Sequence, residues 1–244
     1  MTDPASAGSP PSGSLGRPWR AADALAFVDD VASPVLDDAD AHHLRRVLRL
    51  RPGDPVCVSD GHSAARACTL GADGVLTVAG DPVALEVVSP EIMTTVGVVP
   101  PKGDRLDLLV AKLTELGVDR IVLLDSERAV VRWDEARAGR ALGRLDRIAR
   151  SSCAQSRRPR LPEIELGDLG SLLSSGAPIA DLEGRPISVD DRILLIGPEG
   201  GWSDAERAAA DAPGAGGRVQ LAGGVLRVET AAIAAAAVMA ALAV

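Results

Sequence analysis

Two junctions in the last third of the chain restrict its fold more than anything else in the sequence. In the first, a strand expected from Asp191 to Gly197 runs into Gly197-Pro198-Glu199-Gly200-Gly201, and a helix opens at Ser203. Ser203-Asp204-Ala205-Glu206 has the spacing of a capping box, in which the serine hydroxyl accepts from the Glu206 amide and the Glu206 carboxylate reaches back. In the second, a strand from Arg218 to Leu221 leads through Gly223-Gly224 into an alanine-rich helix that runs to Val244. Strand, glycine turn and helix, used twice, belong to an α/β sheet.

The segments before these junctions extend that pattern. Thr95 to Val99 reads as a buried strand, and Leu106, Leu109, Val110, Leu113 and Leu116 share one face of a helix from Asp104 to Leu116 that Gly117 ends. A second strand is expected from Arg120 to Asp125 and a long helix from Trp133 to Ala154, so strands and helices alternate as in a parallel sheet. Upstream of Ser89-Pro90 the pattern differs. Short strand-like runs at 55–59, 64–70 and 75–79 are separated by Asp60-Gly61 and Asp73-Gly74 and suggest a small antiparallel barrel. Ahead of them, Leu44, Val47 and Leu48 have the spacing of a short amphipathic helix. The expected organisation is a disordered tail over residues 1–20, a small β domain over 21–89 and an α/β domain over 90–244.

Composition narrows the function. A formal net charge of -8 excludes a general nucleic-acid coat, so any RNA contact must be local. Aromatic residues are only 2% of the chain, which leaves the packing to aliphatic side chains. Cys57, Cys68 and Cys153 form no Cys-x-x-Cys pair, and His42 and His43 have no third ligand nearby, so neither a disulfide framework nor a metal site is expected. The serine-, glycine- and proline-rich start lacks the apolar stretch of a secretory signal, and Ala231 to Val244 is shorter than the roughly 20 residues of a membrane crossing. The expectation is a cytoplasmic protein with no membrane partner.

Both glycine junctions can present free backbone amides to a ligand, because glycine allows close approach and a helix N-terminus carries unpaired N–H groups. The first matches neither a dinucleotide fingerprint nor a phosphate-binding P-loop, whose lysine it lacks, and a tight turn alone would also account for it. The second brings Arg227 and Glu229 to a helix entrance, where an ordinary surface pair is the alternative. Basic clusters occur at Arg45, Arg46, Arg49 and Arg51 and at Arg147, Arg150, Arg157, Arg158 and Arg160.

Read together, Gly197 to Gly201, Leu226-Arg227-Val228-Glu229-Thr230-Ala231, Lys112 to Val118, Gln155 to Pro159 and His43 to Arg49 resemble the RsmE family of 16S ribosomal RNA uracil-N3 methyltransferases. The resemblance implies a SPOUT-type α/β domain with a C-terminal trefoil knot, preceded by a PUA-like β-barrel, and a homodimer as the active unit. It implies S-adenosylmethionine as cofactor, touched by Ile196, Gly197, Pro198, Glu199, Gly200 and Gly201 and by Leu221, Ala222, Gly223, Val225 and Leu226. It further implies methylation at N3 of uridine 1498 in 16S ribosomal RNA of the 30S subunit, with Arg227 and Glu229 as the catalytic candidates and Arg45, Arg46, Arg49, Arg157 and Arg158 as RNA contacts. Ala222 stands where the family usually has glycine and Val228 where it has threonine. Those departures motivate the alternative of a non-catalytic RNA-binding assembly protein on the same fold.

Overall fold

Residues 17–89, 92–133 and 135–242 are described by a computed structural model. The chain divides into two units, one ending at Glu86 and one starting at Val87. Of the tail expected over residues 1–20, the part up to residue 16 lies outside the described residues. Pro18–Ala21 is not tail but a turn of helix (α1) with proline in its first turn, where the missing N–H is not needed.

In the first unit, β1 (Ala24–Phe27) pairs in parallel with β2 (Pro55–Ser59), which pairs antiparallel with β3 (Ala64–Leu70). β4 (Leu76–Val78) and β5 (Val83–Ala84) both add to β3. This corrects the expected antiparallel barrel: the sheet is mixed, and among the described residues no β1 to β4 pairing closes it. At the turn after β2, Asp60 accepts from the amides of His62, Ser63 and Ala64 and from the Ser63 hydroxyl. Burial opposes the charge, yet these hydrogen bonds bring the carboxyl down to about 2. The resulting stabilisation is present above the ordinary carboxylate range and is lost as pH falls through about 2.

The amphipathic helix expected around Leu44 differs in pitch. It begins as α2 (Asp38–His42), N-capped by Asp37, and widens into a π-helical turn over His43–Val47. The Leu48 amide reaches back to the His43 carbonyl. A wider turn takes residues three and four apart off a common face. Leu44 is therefore buried, at 1% exposure, while Val47 is 60% exposed.

The second unit is built on six parallel strands in the order β11-β9-β10-β6-β7-β8. In chain order they are β6 (Thr95–Val98), β7 (Arg120–Leu124), β8 (Glu163–Gly167), β9 (Ile179–Pro186), β10 (Ile193–Ile196) and β11 (Arg218–Gln220). Between them lie α3 (Arg105–Glu115), α4 (Glu135–Ser156), α5 (Leu169–Ser174), α6 (Asp204–Ala210) and α7 (Val228–Leu242). Strand side chains alternate between faces, and the two cores follow that period. Ile121, Leu123, Leu194 and Ile196 pack with α3, α4 and α7, whereas Val122, Leu124 and Leu195 pack with residues of α5 and α6. Each such buried aliphatic side chain contributes about 1.5–3 kcal/mol.

The edge of this sheet is irregular. β9 pairs with β11 through Ile179 and Arg218, and the next pair is Arg185 with Val219. Ala180 to Gly184 thus lies between two adjacent rungs and leaves the ladder there. No helix among the described residues is long and apolar enough to cross a membrane.

Candidate functional site

A cleft of about 600 Å³ opens in the second unit. Three stretches distant in sequence form most of it: Ala180 to Glu183 of the β9 excursion, Ile196 to Trp202 with Asp204 and Arg207 just beyond, and most of the residues from Leu221 to Val228 with Ala231. Of the residues expected to touch a cofactor, Ile196, Gly197, Pro198, Glu199, Gly200, Gly201, Leu221, Ala222, Val225 and Leu226 all line it. Gly223 is exposed beside them without lining the cleft.

The first loop is shaped by Trp202. Its side chain is 2% exposed, and its indole Nε1 donates to the Ala180 carbonyl at 3.1 Å. A β-carbon at Gly197 would stand 2.9 Å from that indole, so the loop passes the tryptophan only with glycine there. Gly201 sits at φ 69°, the left-handed region open to glycine, where its amide donates to the Pro198 carbonyl. Beyond it the expected capping box is present: Ser203 and Glu206 exchange hydrogen bonds at 2.7 and 3.1 Å. Glu199 accepts from the Lys102 amide at 3.2 Å, which ties the loop to the segment after β6.

The wall contributed by β9 went unseen in the sequence. Asp181 pairs with Arg207 at 2.8 Å, and both line the cleft together with Glu183 and Asp204. Burial works against the Asp181 charge, but the Glu183 amide and the Arg207 guanidinium outweigh it and hold the carboxyl below its ordinary value. The other two acids of this wall are also paired: Arg207 reaches Asp204 at 3.7 Å and Arg218 meets Glu183 at 3.0 Å. The signal for this wall would have been the run Asp181-Leu182-Glu183-Gly184, too polar and glycine-broken for an interior strand.

The second loop settles the two departures from the family. Ala222 is outside the left-handed region, because among the described residues the non-glycine ones with positive φ are Arg49 and Arg157. Its methyl group therefore carries no backbone strain. Val228 is 3% exposed and belongs to the core with Ala232 and Ala235, where a hydroxyl would need a partner.

Arg227 is exposed and lies between two lining residues without lining the cleft itself. Its carbonyl accepts from the Ala231 amide at the start of α7. Glu229 does not orient Arg227: it pairs with Arg105 of α3 at 3.7 Å, and its Oε2 is buried with no hydrogen-bond partner. A carboxylate in the first turn of α7 also interacts favourably with the helix dipole.

Among the basic residues, Arg45 and Arg46 are exposed on the π-helical turn, and Arg49 comes just after it. Arg49 and Arg157 both have φ 59°. Arg157 comes directly after α4, and the next amide, of Arg158, bonds back to the Cys153 carbonyl, a helix end that usually carries glycine. Arg158 requires a correction. Its side chain is 15% exposed, and its donors go to the carbonyls of Thr114 and Val118 and to Asp119 Oδ1 at 3.3, 2.6 and 2.9 Å. It clasps the end of α3 to the end of α4 instead of facing RNA.

A parallel α/β unit whose cleft is bounded by two glycine-lined loops is the architecture of a class. Residues 89–240 match the family model of the RNA methyltransferase domain, and residues 36–76 match that of the RNA methyltransferase PUA domain. Over 225 residues the chain is 31% identical to the ribosomal RNA small subunit methyltransferase E of Mycobacterium bovis, covering 84% of each chain. It is 26% identical over 201 residues to the enzyme of that name from Bacillus subtilis, covering 68% of this chain and 74% of the relative. Among solved structures it is similar to ribosomal RNA small subunit methyltransferase E from Neisseria gonorrhoeae bound to S-adenosyl methionine, with a TM-score of 0.71 and 26% identity, over 90% of this chain and 97% of that one. The chain belongs to the ribosomal RNA small subunit methyltransferase E family.

Proposed function

We propose that this protein transfers the methyl group of S-adenosylmethionine to N3 of a uridine of 16S ribosomal RNA, uridine 1498 of the 30S subunit. The observation that carries this reading is the meeting, in one cleft, of two loops that the family resemblance assigned to the cofactor and that are separated in the chain by α6 and β11. The fit is physical. Glycine at 197 lets the loop pass Trp202 and glycine at 201 lets it turn, and the loop so shaped lines the cleft from Ile196 to Trp202. When bound, S-adenosylmethionine supplies an activated methyl group on a sulfonium.

The residues then have two tasks. The loops hold donor and acceptor in line and exclude water, which is worth several kcal/mol of the barrier through lost freedom already paid on binding. Arg227 stabilises the negative charge that develops on the uracil ring as N3 gives its proton up to solvent before the methyl group arrives. Glu229, through Arg105, ties the first turn of α7, directly after Arg227, to α3. The N3 edge is hidden in a paired base, so the target uridine must be unpaired in its folded context.

The same reading includes the SPOUT knot, a homodimer and action in the cytoplasm. The knot rests on the family resemblance, and the topology is compatible with it: β11 is at the far edge of the sheet, and α7 after it packs on β6, β10 and α3. Mass spectrometry of 16S ribosomal RNA tests the function. A deletion strain should lose 3-methyluridine, and purified protein with S-adenosylmethionine should restore it on the mutant's 30S subunits. Retention of the mark in the deletion strain rejects the assignment. Tight RNA binding without any cofactor binding would favour the non-catalytic assembly protein.

Arg49 offers a test of the RNA face. Its left-handed backbone costs about 1–2 kcal/mol with a side chain and little with glycine. Arg49→Gly should therefore raise the melting temperature by roughly 2–4 °C per kcal/mol relieved. It should also weaken RNA binding and reduce the salt slope by about 0.7. A more stable variant with unchanged RNA affinity would remove Arg49 from the interface.

A further inference from the structure

The connection between β7 and α4 is bonded to the outer side of the first cleft loop, and no cofactor residue expected from the sequence lies in it. Arg128 is the centre of this arrangement. One of its terminal guanidinium nitrogens donates to the Gly200 carbonyl at 3.2 Å and to the Trp202 carbonyl at 3.1 Å. It thereby spans Gly201, the left-handed residue of the turn. The neighbouring Glu127 amide donates to Glu206 Oε1 at 3.0 Å, while Glu206 Oε2 accepts from the Ser203 amide at 2.7 Å. Glu206 is buried, so each of its oxygens holds a different segment.

The geometry points to Arg128 as a positioning residue that sets the cofactor loop. Gly200, Gly201 and Trp202 line the cleft, and Arg128 does not. Its influence on a bound ligand must therefore pass through the two carbonyls it holds. In a trans peptide the carbonyl and the following N–H point opposite ways, so drawing these oxygens toward Arg128 fixes how the rest of each peptide plane faces. Gly200 lies directly against Arg128: a β-carbon there would be in ordinary contact with Arg128 Cβ at 3.5 Å. This inference rests on the reading that the cleft holds S-adenosylmethionine.

The test uses the full chain with Arg128→Ala and Arg128→Lys, S-adenosylmethionine titrated by calorimetry, and methylation of 30S subunits. Loss of a charged donor that bridges two carbonyls should weaken cofactor binding and raise its KM about tenfold. Expected with it are a kcat at saturating cofactor within about twofold of wild type, unchanged RNA affinity and partial rescue by lysine. Hydrogen exchange at Gly200 to Trp202 should be faster in Arg128→Ala even without ligand. Unchanged exchange and unchanged cofactor affinity would overturn the inference. So would a fall in RNA affinity with a salt slope reduced by about 0.7, which would make Arg128 an RNA contact. A wild-type protein that binds no cofactor but whose loop exchange responds to Arg128→Ala would instead overturn the cofactor reading and leave the positioning role intact.

Discussion

Arg227→Ala should lower the rate of methyl transfer by about 10²- to 10³-fold, the range for removing one preorganised donor from a developing anion. Cofactor affinity should stay within about twofold, because Arg227 is outside the cleft lining. The folded state should be little affected. The side chain is exposed, and its helix-starting carbonyl survives the substitution. Arg227→Lys keeps the charge but loses the planar fork and should recover only part of the rate. Single-turnover methylation of 30S subunits with saturating cofactor reads this directly. Unchanged turnover in Arg227→Ala rejects the catalytic assignment, and an equal loss of cofactor affinity transfers Arg227 to cofactor binding.

A large loss of stability is expected on adding a side chain at Gly184. A β-carbon there would stand 2.4 Å from the Val219 nitrogen and 2.5 Å from the Arg218 carbonyl carbon, both backbone atoms of the neighbouring strand. No side-chain rotation relieves such a contact, so β11 must move. Overpacking of this kind costs about 3 kcal/mol. At roughly 2–4 °C per kcal/mol, Gly184→Ala should melt about 6–12 °C below wild type. Cofactor binding should weaken too, because the residues before Gly184 and those after β11 both line the cleft. Gly143→Ala is the control. Gly143 is within α4 with open space around it, and alanine there should stabilise by about 1 kcal/mol. Melting of Gly184→Ala within about 2 °C of wild type would show that the strands do not approach so closely.

The parts of the fold legible in the sequence were those where one physical signal dominates. β6, β7 and β10 are short apolar runs buried on both faces, α3 buries Leu106, Leu109, Val110 and Leu113 on one side, and the Ser203 to Glu206 cap is purely local. β8 and β9 escaped because they have little apolar content: Glu163 and Glu165 alternate through one, and Asp181, Glu183 and Gly184 interrupt the other. The π-helical turn escaped because residue spacing alone cannot tell it from an α-helix. At the site, the two glycine loops could be read as helix entrances, but their convergence depends on strand order, and the family resemblance had to supply the ligand. Arg157 and Arg158 are adjacent arginines in the sequence, yet one occupies a left-handed helix end and the other is spent inside the fold. Only tertiary contacts separate them.

Trp202 has a consequence outside catalysis. The chain has no tyrosine, so its ultraviolet emission comes from Trp19, Trp133 and Trp202. Trp202 alone of the three lines the cleft, with its ring against Gly197 and its nitrogen bonded across to β9. A ligand in the cleft would sit beside that indole, so a change in its emission on adding S-adenosylmethionine is the expected optical sign of occupancy at this loop.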